Sequence, residues 1–461
     1  METERDRALD ESLELIMDLL SEKKYVQARE ELLEFNAVDI AELLEEILDE
    51  LGLEKVIVLY RILPKDLSVD VFSYLSVDTQ VDIITGITDK EMHFIMDELP
   101  FDDMIDVLEE LPANVVDKIL ARATKEERKQ INAFLNYPEN SAGSLMTPDY
   151  ISLRRDMTVA EALASIRTVA LDSETIYTCY VKDAGRKLLG VVSLRSLVVA
   201  KEDQLVEDLM TEDFVSIGVT DDQEVASEQF KRYGFLAIPV VDKEDRLVGI
   251  ITVDDILDVI EEETEEDFQK MAGVMTDDST REYLDTGVFR HVWSRLPWLF
   301  VLMLSYVVTG SIIAGFQDML SSVICLVTYM PMLMGTGGNS GSQAATLVIR
   351  GLATGDIELS DALRVLWKEL RVSTIIGLAL CLINFARIYF LDSNGLLVAL
   401  TVSVSMLAVV VVAKCIGGML PMLAKLLKID PALMASPFIS SLTDLVSTVT
   451  YFAMASLILG I

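Results

Sequence analysis

Histidine and cysteine are scarce in this chain, two and four among 461 residues, and neither gathers into a motif. Cys179, Cys325, Cys381 and Cys415 have no metal-ligand spacing, and three of them sit in apolar segments. That excludes a disulfide framework and a thiolate metal site; the four read as small hydrophobes. His93 and His291 stand apart from each other and are expected at a surface or an interface. No nucleophile with a partner base, metal triad or phosphate loop appears, so an enzyme is not expected. Positive charge is also in short supply, with 38 Lys and Arg against 75 Asp and Glu and a net charge of −37. Such a surface repels nucleic acid and attracts cations. The first residues, METERDRALDESLELIMDLL, lack a basic segment leading into an apolar one. No signal peptide is expected, and the soluble part is expected in the cytoplasm.

What is abundant is unevenly placed. Hydrophobic residues make up 51% of the chain, yet from Pro297 onward eight acidic residues match eight basic ones, so the whole charge imbalance falls upstream. Five apolar runs occupy about 297–317, 322–349, 372–391, 396–424 and 436–460. Each meets the roughly 20 residues that a bilayer crossing requires. Arg290 and Arg295 precede the first run, Arg350, Arg364, Lys368 and Arg371 follow the second, and Lys425 and Lys428 follow the fourth. The opposite loops hold Gln317, Asp318, Asp392, Ser393 and Asn394, with Arg387 the nearest base. The positive-inside rule therefore places the N-terminus in the cytoplasm and the C-terminus outside a cell membrane.

Upstream, residues 1–135 carry apolar positions at intervals of three and four, as in DIAELLEEILDEL and FDDMIDVLEELPANVVDKIL. This predicts a stack of short amphipathic helices. The segments LPKDLSVDVFSYL, ITDKEMHFIMDEL and LPANVVDKILARA look like one degenerate unit, so a helical solenoid is expected. Over 136–256 the pattern becomes short strands alternating with helices, and it occurs twice, each time from a Met-Thr start to a Gly-headed apolar strand that runs into a helix. A connecting helix is expected over 257–290. Along DDILDVIEEETEEDFQKMAG, which runs into it, Asp255, Asp258, Glu262 and Glu266 recur at three and four. Like charges so spaced cost an isolated helix about 0.2–0.5 kcal/mol per pair, so this helix needs a counter-charge, for which a cation is one candidate.

Within the final run Ser436, Ser440, Asp444 and Ser447 share one helical stripe, with Thr443 beside it. The second run contains PMLMGTGGNSGSQAAT, where Gly335, Gly337, Gly338 and Gly341 surround Asn339, with Gln343 and Thr346 further on; Pro331 is expected to break its helical ladder. Glycines at that density let helices approach closely or line a cavity. Asp444 is the residue out of place, since a carboxylate at the bilayer centre costs about 2.5–3.5 kcal/mol and marks an ion or proton path by default. Its alternatives are a protonated acid hydrogen-bonded in the bundle or an ion pair with Lys414.

The twin halves of 136–256 resemble a tandem pair of cystathionine-β-synthase-type (CBS) modules. The resemblance implies dimerisation and an adenine nucleotide, such as ATP, in the cleft between repeats. Its signature is met in the second repeat by Gly249, Thr252 and Asp255, whereas in the first Ser196 stands where the Asp falls. The order of acidic helical domain, CBS pair, acidic connecting helix and five spans over 291–461, with GTGGNSGSQAATLVIRGLATGDI and DPALMASPFISSLTDLVS, resembles the MgtE family of magnesium channels over essentially the whole chain.

The fold class implied is an α-helical membrane domain with five transmembrane helices, a cytoplasmic α-solenoid domain and an α+β CBS-pair domain. The family implies a homodimer whose pore lies on the two-fold axis, lined by the second and fifth spans, with Asp444 of each subunit as the selectivity site. Mg²⁺ keeps several waters, so facing carboxylates can hold the hydrated ion without stripping it. Ser440, Ser447, Thr443 and Asn339 then serve its water shell. The family further implies closure by cytosolic Mg²⁺. Asp102 and Asp106 would face Asp255 across an ion, and Glu263, Glu266 and Asp267 would meet Asp430, with Asp258 on the same acidic helix. Gly234 stands where an acidic residue is implied, which leaves Glu224 as the candidate of that module. Lys414 is expected to point away from the pore. Competing readings are a carrier for Co²⁺ or Mn²⁺, a cation exchanger, and a membrane-anchored cation or nucleotide sensor; the absence of soft ligands in the spans argues against thiolate-selected metals.

Overall fold

The computed structural model describes residues 4–171, 173–275, 283, 286–392, 395–434 and 436–460. It divides into two compact units, Met1–Ile260 and Glu261–Ile461.

In the first unit ten short helices among the described residues, α1 to α10, run from Glu4 to Phe134. Their breaks follow from capping chemistry. Thr88 and Thr124 form capping boxes with Glu91 and Glu127. Pro64, Pro100 and Pro112 lead into α5 (Lys65–Ser73), α8 (Phe101–Glu110) and α9 (Ala113–Arg122), where a missing N–H costs nothing. The three look-alike segments are every second helix: α5, α7 (Asp89–Glu98) and α9. Each turns an apolar stripe inward, such as Val69 and Phe72 or Met92, Ile95 and Met96. His93 belongs to that α7 stripe and is buried, so the expected surface position is corrected.

The Met-Thr repeats fold as two copies of one unit. The first is β1 (Tyr150–Leu153), α11 (Val159–Val169), β2 (Thr175–Lys182), β3 (Leu188–Ser193) and α12 (Leu194–Val199). The second is β4 (Ile217–Gly218), α13 (Gln223–Tyr233), β5 (Ala237–Val241), β6 (Leu247–Thr252) and α14 (Val253–Ala272). In each sheet the first strand pairs parallel to the second and the third antiparallel. The Met-Thr starts are exchanged: Thr147 donates to Ile250 O at 2.8 Å and accepts from Ile250 N at 2.9 Å, while Thr211 and Val191 do the same at 2.8 and 3.0 Å. Each repeat thus finishes the other's sheet. That crossing explains the glycine at the head of each third strand, because a Cβ on Gly190 would stand 2.8 Å from Thr211 O and one on Gly249 2.7 Å from Met146 Sδ.

The second unit contains α15 (Val288–Gly315), α16 (Gln317–Ser322), α17 (Cys325–Ala353), α18 (Ala362–Phe390), α19 (Leu396–Leu426) and α20 (Ser436–Leu459). Four helices among the described residues are long and apolar enough to cross a membrane, over Val288–Gly315, Leu359–Phe390, Leu396–Leu426 and Pro431–Leu459. The second expected run, α17, has the length, 29 residues, but its run of small and polar residues dilutes its apolar character. Pro331 does not end it; α17 continues through that residue. Of the expected connecting segment 257–290, α14 covers the part to Ala272, and 276–282 and 284–285 lie outside the described residues.

Helix α19 packs against α17, α18 and α20. The closest approach is backbone to backbone: a Cβ on Gly417 would overlap the carbonyl of Gly341. Since neither helix can yield locally, Gly417→Ala is expected to destabilise the bundle by about 1–3 kcal/mol, read as a lower thermal midpoint of the purified protein in detergent.

Candidate ion pathway and acidic clusters

Asp444 lies about midway along α20, half-buried, facing α17. The α17 residue opposite is Gly338, whose Cβ position would be 3.6 Å from Asp444 Oδ1 and 3.7 Å from Ser440 Oγ. The glycine leaves open space beside the carboxylate and the hydroxyl. Ser440 Oγ also lies 3.3 Å from Ser342 Oγ of α17. Asn339, next along α17, is exposed.

Two expected members of this stripe lie elsewhere. Thr443 is fully buried, donates back to Ile439 O at 2.7 Å, and packs its methyl on Gly341. Ser447 is buried in the slot that Gly337 opens. Both are packing residues of the α17 contact, so the reading of them as water-shell ligands is corrected. Ser440 and Asn339 retain accessible surface.

Lys414 does not pair with Asp444. It is 4% exposed, and its Nζ donates to Gln343 Oε1 at 3.4 Å. A buried ammonium held by an amide is a structural arrangement. Lys414→Gln is therefore expected to change cation flux by less than about threefold, under 1 kcal/mol in the barrier, in reconstituted vesicles.

A separate cluster lies within the first unit. Asp102 and Asp103 occupy the first turn of α8, and Asp254 and Asp255 the first turn of α14, where negative charge suits the helix dipole. Glu174, which precedes β2, stands at its rim. Asp102 is 8% exposed, and its Oδ1 has no hydrogen-bond partner among the described residues. Burial, then the charges of Asp255, Asp103 and Glu174, push its pKa up to about 9. Burial and neighbouring carboxylates also raise Glu174 to about 7, while Asp255, burial outweighing its hydrogen bond from Thr252, reaches about 6. Such groups gain from a cation placed among them. Asp103, Asp254 and Glu174 were not singled out from sequence, whereas Asp106 and Asp258 are exposed. No three carboxylates, histidines or cysteines among the described residues converge into a ready-made metal cage. An ion that keeps its waters fits this spacing better than one that sheds them.

Thr252 Oγ1 donates to Asp255 Oδ2 at 2.6 Å at the end of β6. The first repeat has the same turn with Ser196 in the acid's place, its Oγ 2.8 Å from Ser193 Oγ. Glu224 is exposed in the first turn of α13. That helix ends at Gly234, whose φ of +65° in the left-handed region explains why no acidic side chain occupies the position.

In the second unit Glu266 of α14 and Asp430 are joined through a base. Lys270 stands between, its Nζ 2.8 Å from Glu266 Oε1 and 3.0 Å from Asp430 Oδ2. Glu263 is half-buried and Asp267 exposed on the same helix.

Comparison with known proteins matches residues 330–454 to a family model described as a divalent cation transporter, MgtE. Residues 35–140 match the MgtE intracellular N domain, and 142–203 and 206–262 match CBS domains. The magnesium transporter MgtE of Thermus thermophilus is 38% identical over 452 residues, 95% of this chain and 99% of the relative. That of Bacillus subtilis is 32% identical over 423 residues, 89% and 92% of the two chains. A solved cytosolic domain of the Mg²⁺ channel MgtE in complex with ATP aligns at 38% identity with a TM-score of 0.49, covering 53% of this chain and 98% of that one.

Proposed function

From the premise that this chain belongs to the MgtE family of divalent cation transporters, we propose that it is a magnesium-selective channel, a homodimer that admits Mg²⁺ and is closed by Mg²⁺ in the cytosol. The observation that carries this reading is Asp444, a carboxylate on a membrane helix, set beside a glycine and a serine and left unpaired by the buried lysine. A charge so costly to insert is retained for a cation. Asp444 and Ser440 of α20 with Asn339 of α17 line the path in each subunit, and the hydrated ion is held through its waters.

In this reading α17 is the second of five spans, supported by its length and by its burial against α19 and α20. The N-terminus is cytoplasmic and the C-terminus outside. The division is a helical solenoid over 1–135, a CBS pair over 136–256, a connecting helix over 257–290 and the pore over 291–461. Closure is driven by Mg²⁺ entering between Asp102 and Asp255, with Asp106, Asp258, Glu224, Glu263, Glu266, Asp267 and Asp430 adding to the cation-attracting field. An adenine nucleotide bound through Thr252 and Asp255 uses the same carboxylate, so nucleotide and Mg²⁺ are coupled at that turn.

The test is Mg²⁺ flux into vesicles with internal Mg²⁺ varied, using wild type and Asp444→Ala, with Co²⁺ and Mn²⁺ as competitors. Flux that Asp444→Ala abolishes and internal Mg²⁺ shuts off supports both halves. A protein that conducts nothing in any condition is a sensor instead.

A further inference from the structure

The acidic face of α14 is linked to the head of the last span by a cation that belongs to the chain itself. Lys270 reaches Glu266, one turn earlier on α14, in the favourable order of acid before base. The same ammonium reaches Asp430, whose other oxygen accepts Ala432 N–H at 2.8 Å and is thereby fixed at the turn Pro431–Met434. The Lys270 side chain is 23% exposed, so the bridge is partly screened from water. Burial opposes its charge, but the bonds from Glu266 and Asp430 outweigh that and raise its pKa, which keeps it positive throughout the physiological range.

We propose that Lys270 is the resident cation of the Glu266–Asp430 site, holding α14 to the head of α20 by its ammonium, so that a divalent ion enters that site only by displacing it. The proposal rests on the gating reading above and changes what it demands. An ammonium is a point charge with three donors and needs no coordination shell, whereas Mg²⁺ requires near-octahedral oxygen ligands. The bridge therefore favours the closed arrangement by a fixed amount that cytosolic Mg²⁺ does not alter, and Mg²⁺ sensitivity is set at the other acidic residues. A ligand shifts a two-state equilibrium only by its differential affinity, so a tethered cation acts as a constant offset.

The experiment measures flux through the full chain in vesicles whose interior is first chelated and then titrated with Mg²⁺. Lys270→Met is expected to raise flux at nominally zero internal Mg²⁺ by roughly two- to fivefold, the range of a partly exposed ion pair, and to steepen the titration as the freed carboxylates take up an ion. Asp430→Asn should match it in chelator, and Lys270→Asp combined with Asp430→Lys should restore the wild-type level. Hydrogen exchange of Glu261–Ala272 in chelator gives a readout that needs no transport: Lys270→Met should accelerate it. If flux and exchange of Lys270→Met overlay wild type, the proposal is overturned. A wild type that internal Mg²⁺ never closes removes the gating reading instead, and the comparison in chelator still decides the role of Lys270.

Discussion

Replacing Asp444 by asparagine or alanine is expected to lower Mg²⁺ flux into vesicles by at least about tenfold, the factor carried by 1.4 kcal/mol. The side chain is held beside Gly338 and Ser440, not against Lys414. Among the described residues no ion pair neutralises it, yet inserting it costs about 2.5–3.5 kcal/mol. Its removal should therefore make the bundle no less stable while the cation loses its principal attraction. The informative comparison sets Asp444→Asn beside Lys414→Gln, with thermal stability and flux recorded for both. A structural ion pair predicts parallel loss in the two variants; an ion pathway predicts loss of flux in the first alone. Normal conductance in Asp444→Asn removes the pathway assignment.

Four helices long and apolar enough to cross a membrane, the twin repeats and the isolated Asp444 are legible in sequence because each rests on a local signal: run length, an echoed motif, or one residue of the wrong polarity. Periodicity says which residues share a face and not what covers it. Ser447 and Thr443 share the stripe of Asp444, but slots opened by Gly337 and Gly341 swallow them, and that depends on which helix packs opposite. The same limit hid Lys270. Its pairing with Glu266 is an i,i+4 relation readable from the chain, whereas its pairing with Asp430 exists only once α14 and the head of α20 are neighbours. Asp103 and Glu174 are hidden for a related reason. In a chain with 75 acidic residues, sequence cannot tell a solvated carboxylate from one whose pKa the fold raises.

Asp102→Asn should stabilise α8 in the absence of divalent ions and weaken its response to them. The Asp102 carboxyl ionises near 3.8 in an unfolded chain and about 9 in the fold, burial being the first cause and the neighbouring acids the second. A raised pKa means that the native state binds more protons between those values. The group's contribution is fully present below about pH 4 and is lost as pH rises through about 9. At pH 7.5 the proton retained across roughly four pH units sets an upper bound of about 5 kcal/mol, which relaxation and water entry reduce to about 2 kcal/mol. All three tryptophans lie in the second unit, so their fluorescence is blind to this change. Hydrogen exchange of Phe101–Glu110 is the suitable probe. In chelator, protection of α8 in wild type should fall between pH 5 and 9, and in Asp102→Asn it should stay flatter and higher at pH 7.5. Adding Mg²⁺ should reverse the order, because the cation stabilises the ionised acids of wild type and finds one fewer in the variant. Equal gains from Mg²⁺ in both proteins would place the regulatory ion elsewhere and leave Asp102 as a buried acid kept protonated by the fold.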